Sequence, residues 1–347
     1  MPTATVRGPR LVGLDRLRGA ALLLMLVHHL TGWFGGDGRS AMPGWAGFAV
    51  TDVAAVAFTV ALGAAVPMLL ASRARRGQTG WRLVGTVMRR YGLLIPIGVA
   101  LRAVLGFDLE TIGVLETLGV CALATAVAVR VASPALPVLA AATLLAAPAA
   151  ERAARDEGGL VEAVFAGTFP LAAYVGFALL GAAAAPLLGH ARERPAALAV
   201  AVVGALWTAG LLLLGDPPDR YPGDASFLVP GITGTALLHL LVTSPRLDEA
   251  GHLGGLLRQA GAHTFGIFVS HYGVYLALRE LGWLHEVGDP AAVAAAVATA
   301  VAFAVGAARM PTLPWSPRTG WARPRSVPAP ERDRTDRSER DPVQSAR

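Results

Sequence analysis

The chain has 347 residues, of which 54% are hydrophobic and only 16% are charged, and its net charge is +6. Soluble domains carry about 25% charged residues, so this composition excludes an ordinary soluble enzyme. All 30 basic residues are arginine. They lie in short groups between long apolar runs, which is typical of membrane loops and not of a nucleic-acid-binding surface. A single cysteine, Cys121, excludes a disulfide within the chain and a cysteine metal site.

Several apolar runs are long enough for transmembrane helices, which need about 20 residues each. The sequence therefore predicts an all-α, multi-pass membrane bundle of about ten transmembrane helices, at 18–34, 48–71, 91–106, 112–132, 134–150, 168–189, 196–214, 226–244, 262–281 and 291–310. Pro134 and Pro137 predict a very tight connection between the fourth and fifth spans. The first run lacks a small-residue cleavage site, so it is not expected to be a cleaved signal peptide.

The distribution of arginine predicts the orientation, because short cytoplasmic loops are enriched in basic residues. With the N-terminus inside, most arginines fall in inside segments, and the outside loops are acidic. We therefore expect a plasma-membrane protein with both termini in the cytoplasm. Residues 1–17 are a cytoplasmic N-terminal segment and 18–310 the transmembrane domain. Residues 311–347, rich in proline and arginine, are predicted to be a disordered cytoplasmic tail.

Ionisable residues inside a bilayer are costly and usually mark function. Asp15, Arg18 and His29 are spaced by three and eleven residues, which puts them on one stripe of the first helix. Arg18 lies near the cytoplasmic surface, and His29 lies about 16 Å farther along the helix. His28 is rotated about 100° from this stripe. A polar path along the first span is therefore predicted.

Asp52, Arg102 and Glu116 fall at a depth similar to that of His29 in this topology. We expect these four residues to line one cavity that opens outward. In the ninth span a second polar stripe recurs every four residues, at His271, Tyr275 and Arg279. Structural alternatives remain open: Asp15–Arg18 and Arg102–Glu116 as ion pairs, His29 and His271 as helix–helix hydrogen-bonding residues, and Asp52 as a helix cap.

The run from Leu14 to His29 resembles the first span of the transmembrane acyltransferases. Its LD-x-x-RG opening is shared by the heparan-α-glucosaminide N-acetyltransferase-like and acyltransferase-3 proteins, and the Arg18-x10-His29 pair is the acyltransferase-3 hallmark. Three further segments look like motifs of the heparan-type proteins. Residues 47–63 look like the second span, 113–119 like the GVLQR-x-G motif, and 263–271 like the NSL-x-IY-x-x-H motif. Glu116 and Thr117 replace the Gln and Arg of the second of these motifs.

The resemblance implies that 18–310 is an acyltransferase-like domain, which moves an acetyl or acyl group from cytosolic acyl-CoA across the membrane. The acceptor would be a hydroxyl or amine of an envelope sugar or lipid-linked glycan. Heparan-type enzymes use a histidine in the loop after the first span, but 35–47 contain none, so the catalytic role falls on His29. The implied residues are catalytic His29 and Asp52, an acyl-CoA site at Asp15, Arg18, Arg89 and Arg90, and a substrate cavity at His28, Arg102, Glu116, His271 and Tyr275.

His29 would act either as a general base, with Asp52 holding its tautomer, or as the carrier of the acyl group. No metal is implied. The expected partners are the lipid bilayer, a glycan or lipid-linked sugar, and a second copy of the chain in a homodimer, with no nucleic acid. Two other functions stay open: a proton-coupled transporter or permease, because it needs the same buried ionisable residues, and a catalytically inactive relative in envelope assembly.

Overall fold

The protein is described by a computed structural model that covers residues 11–34, 44–215, 224–249, 251–281, 294–295, 297–302 and 305–306. Within these ranges the regular elements are helices and there is no strand. Five segments are long and apolar enough to cross a membrane: Asp52–Ala74, Trp81–Leu105, Val114–Glu157, Glu193–Leu213 and Ala225–Val242. The prediction of an all-α, multi-pass membrane bundle is confirmed. The number of ten spans stays a prediction.

The first half of the chain follows the predicted spans closely. Its helices are α1 (Val12–Phe34), α2 (Gly44–Ala74), α3 (Trp81–Val87), α4 (Leu94–Leu105), α5 (Val114–Ala132) and α6 (Leu136–Glu157). Between α3 and α4 the chain forms one π-helical turn, Met88–Gly92. The third span therefore starts at Trp81 and not at 91, because Arg82, Arg89 and Arg90 interrupt the apolar run without breaking the helical path.

A 3-10 turn, Ser133–Ala135, joins α5 to α6 and confirms the predicted tight connection. Helix α6 continues to Glu157, past the predicted end at residue 150. Glu151 explains this extension, since its buried carboxylate accepts a 2.7 Å hydrogen bond from Arg155 one turn later. The predicted acidic outer loop is therefore largely helical.

The second half adds shorter helices between the spans. Its elements are α7 (Gly159–Phe165), α8 (Leu171–Ala184), α9 (Glu193–Leu213), α10 (Ala225–Val242), α11 (Pro245–Glu249), α12 (His252–Ala262) and α13 (Thr264–Glu280). Of the predicted 291–310 span, the described residues at 294–295, 297–302 and 305–306 are helical. The predicted tail, 311–347, lies outside the described residues.

Helix α12 is an element that the sequence did not predict, in the connection between the eighth and ninth predicted spans. It packs closely against α1: a Cβ added at Gly19 would overlap the Leu257 carbonyl, and one added at Gly261 would overlap the Asp15 carbonyl. Arg16 reinforces this contact by donating a 3.3 Å hydrogen bond to the Gly254 carbonyl. Small residues allow such close backbone approach between membrane helices.

A second glycine crossing joins α2 to α8. A Cβ at Gly63 would overlap the Ala178 carbonyl, and one at Gly181 would overlap the Val60 carbonyl. Beside this crossing the aromatic rings of Phe48, Tyr174, Phe177 and Phe227 form a buried cluster that joins α2, α8 and α10. The bundle is therefore densely packed on this side of α2. An internal space lies between α1, α2, α4, α5 and α13.

Candidate functional site

One cavity of about 770 Å³ runs between these helices. It extends from Arg18, near the start of α1, past His29 to the loop between α4 and α5. Its middle walls are apolar and include Met25, Phe58 and Leu94. A mostly apolar pocket with a few converging polar groups is the usual form of a small-molecule site.

Three arginines, Arg18, Arg89 and Arg90, form what we call the arginine end of the cavity. Arg89 and Arg90 are presented by the π-helical turn, an irregularity that occurs frequently at functional sites. The Arg90 guanidinium lies 5.5 Å from the centroid of the Tyr91 ring. Its Nε atom is buried and makes no hydrogen bond within the described residues. A buried donor in this state calls for an acceptor from a ligand or from water.

His29 lines the cavity from α1, together with His28. The Nδ1 atom of His29 lies 3.0 Å from Nε2 of His271 on α13. The two ring planes differ by 20°, and their centroids are 5.2 Å apart. His271 is fully buried, and its Nδ1 donates a hydrogen bond to the Phe268 carbonyl one turn earlier. A histidine pair of defined orientation therefore stands at the cavity wall.

Arg102 and Glu116 face the cavity near its other end. Arg102 Nε and Nη2 both lie 2.9 Å from Glu116 Oε1, and Nη1 donates a 2.6 Å hydrogen bond to the Asp108 carbonyl. A Cβ at Gly98 or Gly113 would come into close contact with the Glu116 carboxylate, so these two glycines make room for it. The ion pair that the sequence left open is present, and it joins α4 to α5.

Phe107 and Tyr272 line the cavity beside this ion pair, and the Tyr275 ring packs against that of Phe107; we call this region the aromatic end. The Phe107 ring lies 6.1 Å from that of Tyr272 and 5.7 Å from that of Tyr275. The Tyr272 ring also contacts the His271 ring, at a centroid distance of 4.1 Å. Aromatic faces beside a polar ion pair offer a ligand both apolar contact and hydrogen-bond partners.

The cavity brings together most of the residues that the sequence singled out: Arg18, His28, His29, Arg89, Arg90, Arg102 and Glu116. Asp15, Asp52, His271 and Tyr275 are described but do not belong to its lining. Asp52 is buried on α2, and His271 stands behind His29. The functional roles given to all these residues stay predictions, since placement alone does not test them.

Sequence reasoning missed Tyr272 and Phe107, which both line the cavity. Tyr272 directly follows His271 but does not belong to the polar stripe at His271, Tyr275 and Arg279. The spacing of four residues therefore did not indicate it. Phe107 lies in the connection after α4, where no regular spacing of apolar residues indicates which side chains are buried. Among the described residues, no group of three or more His, Cys, Asp or Glu side chains is arranged to hold a metal ion.

The comparison with known families identifies the region that carries this cavity. The family model described as heparan-alpha-glucosaminide N-acetyltransferase, catalytic, matches residues 10–215. The match spans more than half of the chain and includes every lining residue except four on α13: Thr264, Phe265, Phe268 and Tyr272. No curated protein matches the chain. The chain thus belongs to the heparan-alpha-glucosaminide N-acetyltransferase catalytic-domain family, a membrane acetyltransferase-like family.

Proposed function

We propose that the protein transfers an acetyl or acyl group from cytosolic acyl-CoA to a hydroxyl or amine of an envelope sugar or lipid-linked glycan. The single observation that carries this proposal is the continuous cavity, which connects the arginine end to His29 and then to the aromatic end. The arginine end suits an anionic donor, and the aromatic end suits an amphipathic acceptor. The histidine lies between them.

The arginine end fits the phosphates of acyl-CoA, because guanidinium groups form paired, charge-assisted hydrogen bonds to phosphate oxygens. The unpaired Nε of Arg90 supplies a donor that such an oxygen would satisfy. The volume of about 770 Å³ falls in the range of known ligand sites. Arg18 and His29 are eleven residues apart, which is about 16 Å along a helix, or half of a hydrocarbon core about 30 Å thick. A donor anchored at the arginines would therefore extend its thioester towards His29.

The chemistry requires one proton acceptor. The oxygen or nitrogen of the acceptor attacks the thioester carbonyl carbon, and its proton passes to the neutral imidazole of His29. The bond from carbonyl carbon to sulfur then breaks, and the CoA thiolate leaves and takes the proton back from the imidazolium. In the second route His29 itself attacks the thioester, and the CoA thiolate leaves. The acceptor then attacks the acyl-imidazolium, neutral His29 is released, and the proton of the acceptor passes to the CoA thiolate. Both routes balance without a metal or a redox partner.

The orientation belongs to the same proposal. We propose the plasma membrane as its location, and the arginine-rich connections favour an orientation with both termini in the cytoplasm, which brings the arginine end to cytosolic acyl-CoA. The aromatic end then faces the envelope, so the acceptor never has to enter the cell. The bilayer and a glycan are the partners that this arrangement requires.

The decisive experiment measures CoA release from acetyl-CoA by the protein in nanodiscs, with and without an envelope-glycan extract. His29→Ala is compared with His190→Ala, which removes an exposed histidine outside the cavity. General-base catalysis contributes about 10²- to 10⁴-fold, so we expect acceptor-dependent release to fall by that factor in H29A and to persist in H190A. Equal release from both variants would remove His29 from the chemistry. Failure of the wild-type protein to bind acetyl-CoA would contradict the proposed function.

The two chemical routes are separated by an acid quench with radiolabelled acetyl-CoA and no acceptor. Label that stays on the wild-type protein and is lost in H29A indicates an acyl-histidine. Absence of protein-bound label, together with normal turnover when the acceptor is added, indicates direct transfer.

A further inference from the structure

The histidine pair carries an inference about the protonation of His29. We propose that His271 is a positioning residue, which fixes His29 in the neutral tautomer that has its proton on Nδ1 and its lone pair on Nε2. This inference rests on the proposed role of His29 in acyl transfer. His271 itself stays off the cavity lining and touches no substrate.

Two hydrogen bonds link three groups: the Phe268 carbonyl, His271 and His29. Only the carbonyl has a fixed role as acceptor, so it decides the direction of both bonds. The Phe268 carbonyl only accepts, so the Nδ1 atom of His271 must carry a proton. A neutral imidazole has a single N–H, and Nε2 of His271 is therefore an acceptor. The Nδ1 atom of His29, 3.0 Å away, must then be the donor. The lone pair of neutral His29 remains on Nε2.

The surroundings hold His271 in this orientation. Phe268 lies three residues before it on α13, so the bond to the carbonyl is internal to one helix and is set by the helix geometry. The Phe268 and Tyr272 rings both contact the His271 ring, with centroid distances of 5.2 and 4.1 Å. His271 has no exposed surface. A ring held by a backbone carbonyl and two aromatic neighbours cannot flip without repacking α13.

This arrangement selects which atom of His29 is available for chemistry. Nδ1 is committed to His271, so proton removal or acyl transfer must use Nε2. When His29 gains a proton on Nε2, the bond from its Nδ1 to His271 becomes charge-assisted and stronger. His271 thus supports both states of the cycle while remaining neutral itself.

The test compares two replacements of His271. His271→Gln retains an oxygen that can accept the bond from His29, whereas His271→Phe retains the ring shape but has no acceptor. In protein labelled with ¹⁵N-histidine in nanodiscs, the His29 signals are identified by their loss in H29A. We expect His29 to have a protonated Nδ1 and an unprotonated Nε2 in the wild type and in H271Q, and to be a mixture of tautomers in H271F. If H271F does not fold, His271→Leu provides the variant without an acceptor.

Turnover gives an independent readout. The kcat should fall about 10- to 100-fold in H271F, with the KM for acyl-CoA unchanged, and should recover most of its value in H271Q. A general structural defect would instead change kcat, KM and thermal stability together in both variants. An unchanged His29 tautomer in H271F would overturn the inference. The expected ¹⁵N pattern without turnover in any variant would support the tautomer assignment and refute the proposed function, so the two failures are distinguishable.

Discussion

Replacing Glu116 with alanine should destabilise the protein strongly, because it leaves the Arg102 charge without its partner. The side chains of Arg102 and Glu116 are only 14% and 6% exposed, respectively. In the variant Arg102 would lose two contacts of 2.9 Å to the carboxylate and retain only its 2.6 Å bond to the Asp108 carbonyl. The space between Gly98 and Gly113, which the carboxylate now fills, would become empty.

Removal of one partner of a buried ion pair costs about 3–5 kcal/mol, because the remaining charge is desolvated without compensation. The conservative change E116Q keeps the shape and one hydrogen-bond acceptor, so it should cost less. Replacement of both partners by apolar residues, in R102M/E116L, should restore part of the loss, since the uncompensated charge is gone. The pair is therefore expected to show strong coupling in a double-mutant cycle.

Thermal unfolding in detergent measures the effect. For a chain of this size a loss of 3–5 kcal/mol corresponds to a fall in Tm of roughly 4–7 °C. Glu110→Ala, which removes an exposed carboxylate from the neighbouring loop, is the matched control and should leave the Tm unchanged. If E116A melts within 2 °C of the wild type, on a scale of roughly 1.4 °C per kcal/mol, the argument that this pair is buried and interdependent is refuted.

Three further expectations concern packing, donor binding and burial. Gly261→Ala should destabilise the protein by about 1–3 kcal/mol in the same melting assay, because the added methyl meets the Asp15 carbonyl. The control Gly255→Ala, with open space around it, should be neutral or slightly stabilising. Equal Tm values for the two variants would contradict the close crossing. Arg90→Ala should raise the KM for acetyl-CoA about 10- to 100-fold. Arg82→Ala changes an arginine on the same helical segment but outside the cavity lining, so it should leave the KM unchanged. Equal KM values for the two variants would place the phosphates of acetyl-CoA elsewhere. Cys121, which has no exposed surface, should resist a maleimide reagent in the folded protein and react on unfolding; fast labelling under native conditions would contradict its burial.

Hydropathy was enough to predict the membrane class and most long helices, because continuous apolar runs such as that of α9 need no tertiary information. It failed for α12. This helix has only 11 residues and combines a buried Leu257 with an exposed Arg258, so it resembles a polar loop in a search for long apolar runs. What orders it is the contact between Gly19 and Gly261, which are 242 positions apart in the sequence.

The sequence predicted many of the residues of the candidate site, but it did not predict the hydrogen bonds between them. Helical spacing places Arg18 and His29 on one stripe, since both belong to the same helix. The bond between His29 and His271 depends on how α13 is aligned with α1, and no local pattern encodes that alignment. For the same reason the sequence assigned the support of His29 to Asp52. The structure puts His271 at its Nδ1 atom, and the role of Asp52 remains a prediction.

The glycine crossings also determine which walls of the cavity can move. Where α1 meets α12 and α2 meets α8, backbone faces backbone, and a shift by one residue would drive a side chain into a carbonyl group. Sliding of these pairs is therefore blocked, and they act as a fixed frame. Helix α4 differs, because Val99 and Val104 on its surface are exposed in the part of the chain that the structure describes. A ligand larger than the cavity would therefore meet more resistance from the glycine crossings than from α4, whose contact with α5 is made by side chains such as Arg102 and Glu116.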